Sequence, residues 1–236
     1  MERSPDMHRQ RAGDRQPPGA EVHDLMSAQT CPAWPIQLYP PRRSLLFVLS
    51  GPSGVGKDAV IEALKAEGYP IHFVVTATTR PRRPHEVDGT HYHFLTPDEF
   101  AVLNAQGGLI AVDTVYGYQY GTPVAQVREV LARGCDALLR IVQGAADVRR
   151  RVPGAVLIFL GPESLDQLVT RLCRRGTETP ADRERRLAAV EREMACLPQF
   201  DYVVINREGR LAEAVAEVKA IITAERARVT PREVIV

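Results

Sequence analysis

The residues of this chain that are best suited to chemistry lie in one short segment, where closely spaced glycines are followed by a lysine. Gly51, Gly54 and Gly56 carry no Cβ atom, so they can adopt positive φ angles and let successive backbone N–H groups converge on an anion. Lys57 adds a full positive charge directly after them, and only two other lysines occur in the chain. These residue types at this spacing predict a binding site for phosphate groups.

The elements that must position this segment can be recognised on both sides of it. Residues Leu45 to Leu49 are all apolar, which is typical of a parallel strand buried on both faces. Val60, Ala63 and Leu64 recur at the spacing of one helix face. A strand, a glycine-rich turn and a helix form the P-loop pattern G-x-x-x-x-G-K-[ST], whose lysine reaches the β- and γ-phosphates of a nucleoside triphosphate.

One position departs from the P-loop pattern, because Asp58 replaces the serine or threonine whose hydroxyl would hold Mg²⁺. A carboxylate is a hard oxygen ligand, so Asp58 could bind Mg²⁺ directly. Without a metal ion between them, the same carboxylate would repel phosphate. Both interpretations stay open from the pattern alone, and Asp58 is a candidate metal ligand.

Composition limits the domain count and the classes of partner. A chain of 236 residues, 44% hydrophobic and 25% charged, is typical of a soluble globular protein with one substantial domain. A formal net charge of +1 gives no electrostatic footprint for nucleic acid, and no apolar run approaches the length of a membrane span. The four cysteines are scattered without C-x-x-C pairs, which fits a reducing compartment, so we expect a cytoplasmic protein with small-molecule or protein partners.

The distribution of prolines, charges and apolar residues divides the chain into a domain and two tails. Residues 1–43 contain several prolines, mixed charges and no sustained periodicity, which predicts a disordered tail; its many acidic residues argue against a transit peptide. Residues 44–229 alternate strand-like and helix-like segments, with a strand expected over Ile71 to Thr76 and a capping box from Thr96 to Glu99. We expect an α/β fold with a parallel sheet between helices, followed by a short tail over 230–236.

Two further motifs give the chain a specific resemblance. Residues 76–94 are TATTRPRRPHEVDGTHYHF and residues 116–123 are YGYQYGTP, both downstream of GPSGVGKDAV at 51–60. The P-loop combined with T-T-R-x-x-R, E-V-[DN]-G and Y-G-[ST] resembles the guanylate kinase family, and the GKDAV form is similar to its plastid-type and some bacterial members. The resemblance extends to about Arg228 and implies a P-loop nucleoside monophosphate kinase fold, with a monophosphate-binding segment near 76–124 and a lid near 171–187.

The reaction that this resemblance implies is transfer of the γ-phosphoryl group of ATP to GMP or dGMP with Mg²⁺, giving ADP and GDP in guanine nucleotide recycling. The protein would act as a monomer or homodimer. The attacking phosphate oxygen is already ionised, so such a protein must position it and neutralise crowded negative charge rather than supply a base. Arginines suit this task because their planar forks bind phosphate in bidentate fashion and stay charged.

The resemblance also assigns site residues, although each has a structural alternative: Thr122 is a good N-cap before Pro123, the tyrosines could be packing residues, and the lid arginines could form a solvated surface. The residues assigned to ATP are Gly51, Pro52, Ser53, Gly54, Val55, Gly56, Lys57, Asp58 and Asn206, the last near the adenine. Those assigned to GMP are Thr76, Arg80, Arg83, Tyr92, Tyr120 and Thr122. The catalytic set is Lys57, Arg80, Arg175 and Arg186, with Arg171 as a weaker candidate.

The chain departs from the family at two positions that would recognise guanine. Ala111 occupies the position of the glutamate that accepts from guanine N1 and N2, and Asp113 is a candidate replacement if the strand slips or bulges. The segment LLRIVQG at 138–144 is one residue short and lacks the family's aspartate. Losing such a partner costs roughly 1–3 kcal/mol, so a kinase of relaxed base preference and a non-catalytic binding module both remain alternatives.

Overall fold

A computed structural model describes residues 42–115, 117–141, 144–168 and 190–236. Its strands are β1 to β9, at Leu46–Ser50, His72–Phe73, Ala77–Thr78, His93–Phe94, Leu109–Val115, Tyr118–Pro123, Ala137–Arg140, Val156–Pro162 and Tyr202–Asn206. Its helices are α1 to α5, at Lys57–Ala66, Pro97–Ala105, Val124–Ala132, Ala145–Arg151 and Leu211–Arg226. Residues 165–168 and 190–195 are also helical, and Leu197–Gln199 form a 3-10 turn.

The expected parallel sheet is present. In the described part of the chain, five strands are ordered β2-β7-β1-β8-β9, and each adjacent pair is parallel. Alternate residues of β1 face opposite sides of the sheet, as the period of a strand requires. Leu45, Phe47 and Leu49 pack with α1 and α5, whereas Leu46 and Val48 pack with α3 and α4. The sheet is therefore buried on both faces, which is why β1 is continuously apolar.

A second sheet of four strands, ordered β4-β3-β6-β5, lies within the stretch expected to bind the monophosphate. Its apolar cluster contains Ala77, Phe100 and Leu109. The strand expected over 71–76 is wrong in extent, because only His72–Phe73 forms a strand there and the next strand, Ala77–Thr78, belongs to the second sheet. His72–Phe73 pairs with β7, and Ala77–Thr78 pairs with β4 and β6. Helix α2 begins as expected, with Thr96 and Glu99 capping each other's backbone N–H groups.

Strand β5 contains an irregularity that redirects its side chains. Its register against β6 shifts between Leu109 and Val112. Leu109 packs in the second sheet's cluster, whereas Ile110 and Ala111 both pack in the cluster of the parallel sheet. Two consecutive residues on one side are the mark of a β-bulge.

The assignment of tails stays a prediction, since residues 1–41 lie outside the described part of the chain. Arg42 and Arg43, at the end of the expected N-terminal tail, form ion pairs with Asp136 and Glu233. Residues 230–236 contain no regular element, but Val234 packs against both faces of the sheet. No helix among the described residues is long and apolar enough to cross a membrane.

Candidate active site

The glycine-rich segment joins β1 to α1 in a turn that only glycine fits at two positions. Gly51 has a φ of 142°, and a Cβ atom there would collide with the carbonyl oxygen of Leu160. Gly56 has a φ of 107°, and a Cβ atom there would collide with Nδ2 of Asn206. Helix α1 begins directly afterwards at Lys57, so the free N–H groups of its first turn face the loop. This arrangement has the geometry that the predicted anion site requires.

Lys57 is held inside the loop that it is expected to serve. Its Nζ donates to the carbonyl oxygens of Gly51 at 2.6 Å and Pro52 at 3.1 Å. The pKa of Lys57 is lowered from 10.5 to about 8, first by burial and then by the nearby charge of Arg140, against the opposing effect of Glu193, Asp58 and Asp113.

Two buried side chains support the loop from behind. Asn206, at the end of β9, donates from Nδ2 to the carbonyl oxygen of Val55 at 2.7 Å. Glu193 accepts from the backbone N–H of Ser53 at 3.0 Å. Asn206 thus contacts the loop backbone, and its expected position near the adenine stays a prediction. The contact of Glu193 with the loop was not predicted from the sequence.

A cluster of arginine and tyrosine side chains lies between the second sheet and the P-loop. The Arg80 guanidinium lies 5.4 Å from the ring centroid of Tyr92, whose ring is 6.0 Å from that of Tyr120. Arg80 Nη2 donates to Glu86 Oε1 at 2.6 Å, and Glu86 Oε2 accepts from the Arg83 backbone N–H at 2.8 Å. The hydrogen bond from Arg80 lowers the pKa of Glu86 to about 2, and the same bond raises the pKa of Arg80 against the effect of burial. Glu86 therefore positions both arginines of the T-T-R-x-x-R motif.

A cavity of about 140 Å³ adjoins this cluster. It brings together four of the six residues assigned to GMP. It also includes Ala111, at the position of the family's base-reading glutamate, and Asp113, the candidate replacement for that glutamate. Its lining includes Thr76, Tyr92, Tyr120, Thr122, Ala111 and Asp113. Thr122 lies in β6 and is buried, while the N-cap of α3 is Pro123, so the alternative role of Thr122 as an N-cap is wrong. Arg83 lines a neighbouring groove together with Tyr92.

Asp58 and Arg140 link this cavity to the P-loop. Arg140 ends β7, next to Leu49 of β1, and its Nη1 donates to Asp58 Oδ1 at 2.8 Å. Its Nη2 donates to the Tyr92 hydroxyl at 2.6 Å. Burial alone would lower the pKa of Arg140, but the Asp58 carboxylate and the Tyr92 hydroxyl outweigh burial and raise that pKa.

The donor chemistry of Asp58 fits a nucleotide-bound Mg²⁺. The side chain is 76% exposed at the start of α1, and carboxylate oxygen is a ligand that Mg²⁺ prefers. Among the described residues, no group of three or more His, Cys, Asp or Glu side chains could hold a metal ion. A Mg²⁺ ion at this position would therefore need phosphate oxygens and water as its other ligands.

Some of the assigned residues lie outside the described part of the chain. Other residues that contact the candidate site were not predicted from the sequence. Arg171, Arg175 and Arg186 of the expected lid fall within 169–189, which is not described. The unassigned residues are Glu86, Arg140 and Glu193. Glu86 could have been found, since it belongs to the E-V-D-G motif. Arg140 could have been found from its place at the carboxyl end of a strand, where parallel sheets bind ligands.

Comparison with known proteins gives one consistent result. The family model described as guanylate kinase matches residues 43–225. A protein named guanylate kinase 2, chloroplastic/mitochondrial, from Oryza sativa subsp. japonica is 46% identical over 199 residues, covering 84% of this chain and 70% of that relative. The guanylate kinase of Symbiobacterium thermophilum is 46% identical over 187 residues, covering 79% of this chain and 88% of the relative. The crystal structure of guanylate kinase from Anaplasma phagocytophilum aligns with a TM-score of 0.63 at 28% identity, covering 80% of this chain and 89% of that chain.

Proposed function

This chain belongs to the guanylate kinase family, and we propose that it transfers the γ-phosphoryl group of ATP to GMP or dGMP with the residues gathered around its P-loop. An oxygen of the GMP phosphate attacks the γ-phosphorus, the bond from that phosphorus to the β–γ bridging oxygen breaks, and ADP leaves. No general base is required, because the attacking oxygen is already ionised. The protein must align two phosphates and offset their charge.

The observation that supports this proposal best is the short distance between the two phosphate sites. Arg140 donates both to Asp58, which follows the P-loop lysine, and to the hydroxyl of Tyr92 in the arginine and tyrosine cluster. One guanidinium group spans the two sites. Phosphates bound at Lys57 and at Tyr92 would therefore be neighbours, which direct transfer between them requires.

Each group of residues has a separate task in this proposal. The P-loop amides and Lys57 bind the β- and γ-phosphates of ATP, and Arg80, Arg83, Tyr92 and Tyr120 bind the GMP phosphate. Thr76 and Thr122 contact the base in the cavity that they line. Arg175 and Arg186 approach the ATP phosphates from the lid, an assignment that rests on their sequence positions. Asp58 would hold Mg²⁺, which when bound supplies charge neutralisation on the phosphate oxygens.

We assign recognition of guanine to Asp113. Residues at i and i+2 of a strand share a face, so Asp113 lies on the same face of β5 as Ala111, two residues further along. From there its carboxylate can take the place of the missing glutamate. The bulge before Val112 turns that side toward the cavity, and Asp113 lies directly opposite Tyr120 in the register. A carboxylate can accept from both N1–H and the N2 amine of guanine, and adenine offers neither donor.

The test is turnover with five monophosphates. We expect ADP formation from ATP with GMP and dGMP, and much slower reaction with AMP, UMP and CMP. Lys57→Met should abolish all turnover. Failure of the wild-type chain with every monophosphate would instead indicate the binding module, and equal rates with all bases would indicate a relaxed kinase.

The assignment of Asp113 has its own test. Asp113→Asn should lower kcat/KM for GMP by about 10- to 100-fold and leave the slow reaction with AMP nearly unchanged, because an amide cannot accept both guanine hydrogen bonds. Asp147→Asn is a matched control, since Asp147 lies on α4 and pairs with Arg150. Unchanged preference for GMP in Asp113→Asn would contradict this assignment while leaving the kinase activity itself intact.

A further inference from the structure

The ion pair between Asp58 and Arg140 joins residues that are 82 positions apart in the sequence. Its two partners are unequally exposed, with 76% of the Asp58 side chain accessible but only 24% of the Arg140 side chain. Arg140 also lies 5.7 Å from the ring centroid of Tyr92 and donates to the hydroxyl of that ring. The guanidinium is therefore fixed on two sides, by the P-loop helix and by the second sheet.

The charge of Arg140 removes a difficulty that Asp58 creates. A carboxylate beside a triphosphate site repels the ligand, and such repulsion is strong where water is partly excluded. Arg140 offsets that charge at 2.8 Å. It does so at the start of α1, one residue after Lys57. Arg140 at the end of β7 thus offsets the charge that Asp58 brings next to the P-loop.

We infer that Arg140 is a further phosphate-binding residue, which Asp58 holds at the junction between the P-loop and the monophosphate cavity. The inference rests on the proposed function, because it concerns how the same site binds the phosphate of GMP. Arg140 is the residue that contacts the ligand. Asp58 is a positioning residue in this step.

The geometry supports a phosphate contact. Tyr92 is assigned to the GMP phosphate, and its hydroxyl lies 2.6 Å from Arg140 Nη2. A phosphate oxygen that hydrogen-bonds to Tyr92 therefore lies within about 5 Å of Arg140, where an opposite charge interacts strongly. Ionised phosphate oxygen is a better acceptor than a phenol, so the guanidinium can exchange Tyr92 for phosphate without leaving Asp58. Arg140 also lines the cavity itself.

The experiment compares GMP with guanosine, its analogue without phosphate, in calorimetric titrations of the full chain without ATP or Mg²⁺. Arg140→Met should weaken GMP binding by about 10- to 100-fold and guanosine binding by less than about 3-fold, since only GMP carries the charged partner. Arg140→Lys retains the charge without the planar fork and should lose less. Arg149→Met is the matched control, because the Arg149 side chain is similarly exposed, at 32%, and pairs with Asp201, and neither residue lines the cavity.

A second comparison tests the role of Asp58 through the sign of its effect. In the wild-type background, Asp58→Asn should weaken GMP binding, because Arg140 loses the partner that holds it. In the Arg140→Met background, the same change should strengthen binding, because it removes an unopposed negative charge. Such a reversal would not follow if the pair served only to stabilise the fold.

Two outcomes would overturn the inference, and a third would bear only on the proposed function. Equal losses for GMP and guanosine in Arg140→Met would show that Arg140 shapes the cavity without binding phosphate. If Arg140→Met and Arg140→Lys bound GMP as strongly as the control Arg149→Met, Arg140 would have no role in the ligand site. Wild-type protein that binds GMP but never turns it over would count against the proposed function and leave the role of Arg140 in GMP binding intact.

Discussion

At the scale of single residues, the state of Lys57 before nucleotide binding has a measurable consequence. The ammonium group is buried against the carbonyl oxygens of Gly51 and Pro52, and its pKa is lowered to about 8. Since the folded pKa lies below 10.5, burial of the charged lysine opposes folding below about pH 8, and this cost falls as the pH rises toward 10.5. ATP phosphates would reverse the shift, because negative charge favours the protonated lysine.

We therefore predict that ATP binding takes up a proton at alkaline pH. At about pH 9 most Lys57 side chains are neutral before binding and charged afterwards, so the uptake should lie between roughly one half and one proton per ATP. At about pH 6 Lys57 is charged in both states and contributes none. The measurement is titration calorimetry of ATP in buffers of different ionisation enthalpy. Lys57→Met should remove the uptake at alkaline pH, and Lys65→Met, a variant of an exposed lysine, should retain it.

Residues differ in how far sequence alone could identify them. Lys57 stands in a local glycine-rich motif that predicts a phosphate site, and Arg80 and Tyr92 stand in short motifs to which the family resemblance assigns roles. Arg140 stands in no such motif, and its partners Asp58 and Tyr92 are 82 and 48 positions away. Its contacts depend on β7 lying next to β1, an order of strands that composition and periodicity do not specify.

At the scale of elements, local signals predicted the P-loop and helix α2 because both are defined within about ten residues. The capping box of Thr96 and Glu99 is complete as expected. The strand expected over 71–76 is wrong in extent because strand pairing depends on residues that are distant in the sequence. An apolar run shows that a segment is extended, but it does not show that His72–Phe73 and Ala77–Thr78 pair in different sheets. The bulge in β5 likewise depends on β6 and has no signal of its own.

The turn between β1 and α1 depends on a contact with β9, which gives an element-scale prediction. Gly56→Ala should weaken ATP binding by more than about 10-fold, because the methyl group would meet the buried Asn206 side chain in a backbone conformation that alanine rarely adopts. Gly107→Ala is a matched control, since Gly107 has a positive φ of 71° but open space around the added atom. ATP affinity from calorimetry and melting temperature should be measured for both variants.

The two variants separate collision from backbone strain. Both should lose about 1 kcal/mol of stability from the positive φ alone, but only Gly56→Ala should lose ATP affinity. If Gly56→Ala bound ATP as tightly as Gly107→Ala, the Asn206 side chain would move aside without effect. Its contact with the loop would then not determine the loop's conformation.

At the scale of the whole molecule, the segment after α5 is attached to the parallel sheet by charged side chains. Glu225 on α5 is 1% exposed and accepts from Arg232 Nε at 3.0 Å and Nη2 at 2.9 Å. Tyr202 of β9 donates its hydroxyl to the same carboxylate at 2.7 Å. Burial alone would raise the pKa of Glu225, but the hydrogen bonds from Arg232 and Tyr202 outweigh it and lower that pKa. Arg232 therefore ties this segment to α5 and, through the shared carboxylate, to β9.

We predict that Arg232→Met lowers the free energy of unfolding by about 2 kcal/mol at neutral pH, because the buried Glu225 carboxylate then keeps only Arg228, whose Nε lies 3.7 Å away, as a charged partner. The loss should shrink as the pH falls below about 5. Protonation of Glu225 in the variant removes a buried charge that Arg228 only partly offsets. The wild type meanwhile loses the stability that the low folded pKa of Glu225 supplies above its unfolded value. Urea unfolding across a pH series measures both effects.

The control is Arg43→Met, which breaks an exposed pair with Glu233 and should cost less than about 1 kcal/mol of stability at any pH. An Arg232→Met variant no less stable than Arg43→Met would mean that the segment rests on the sheet without stabilising it.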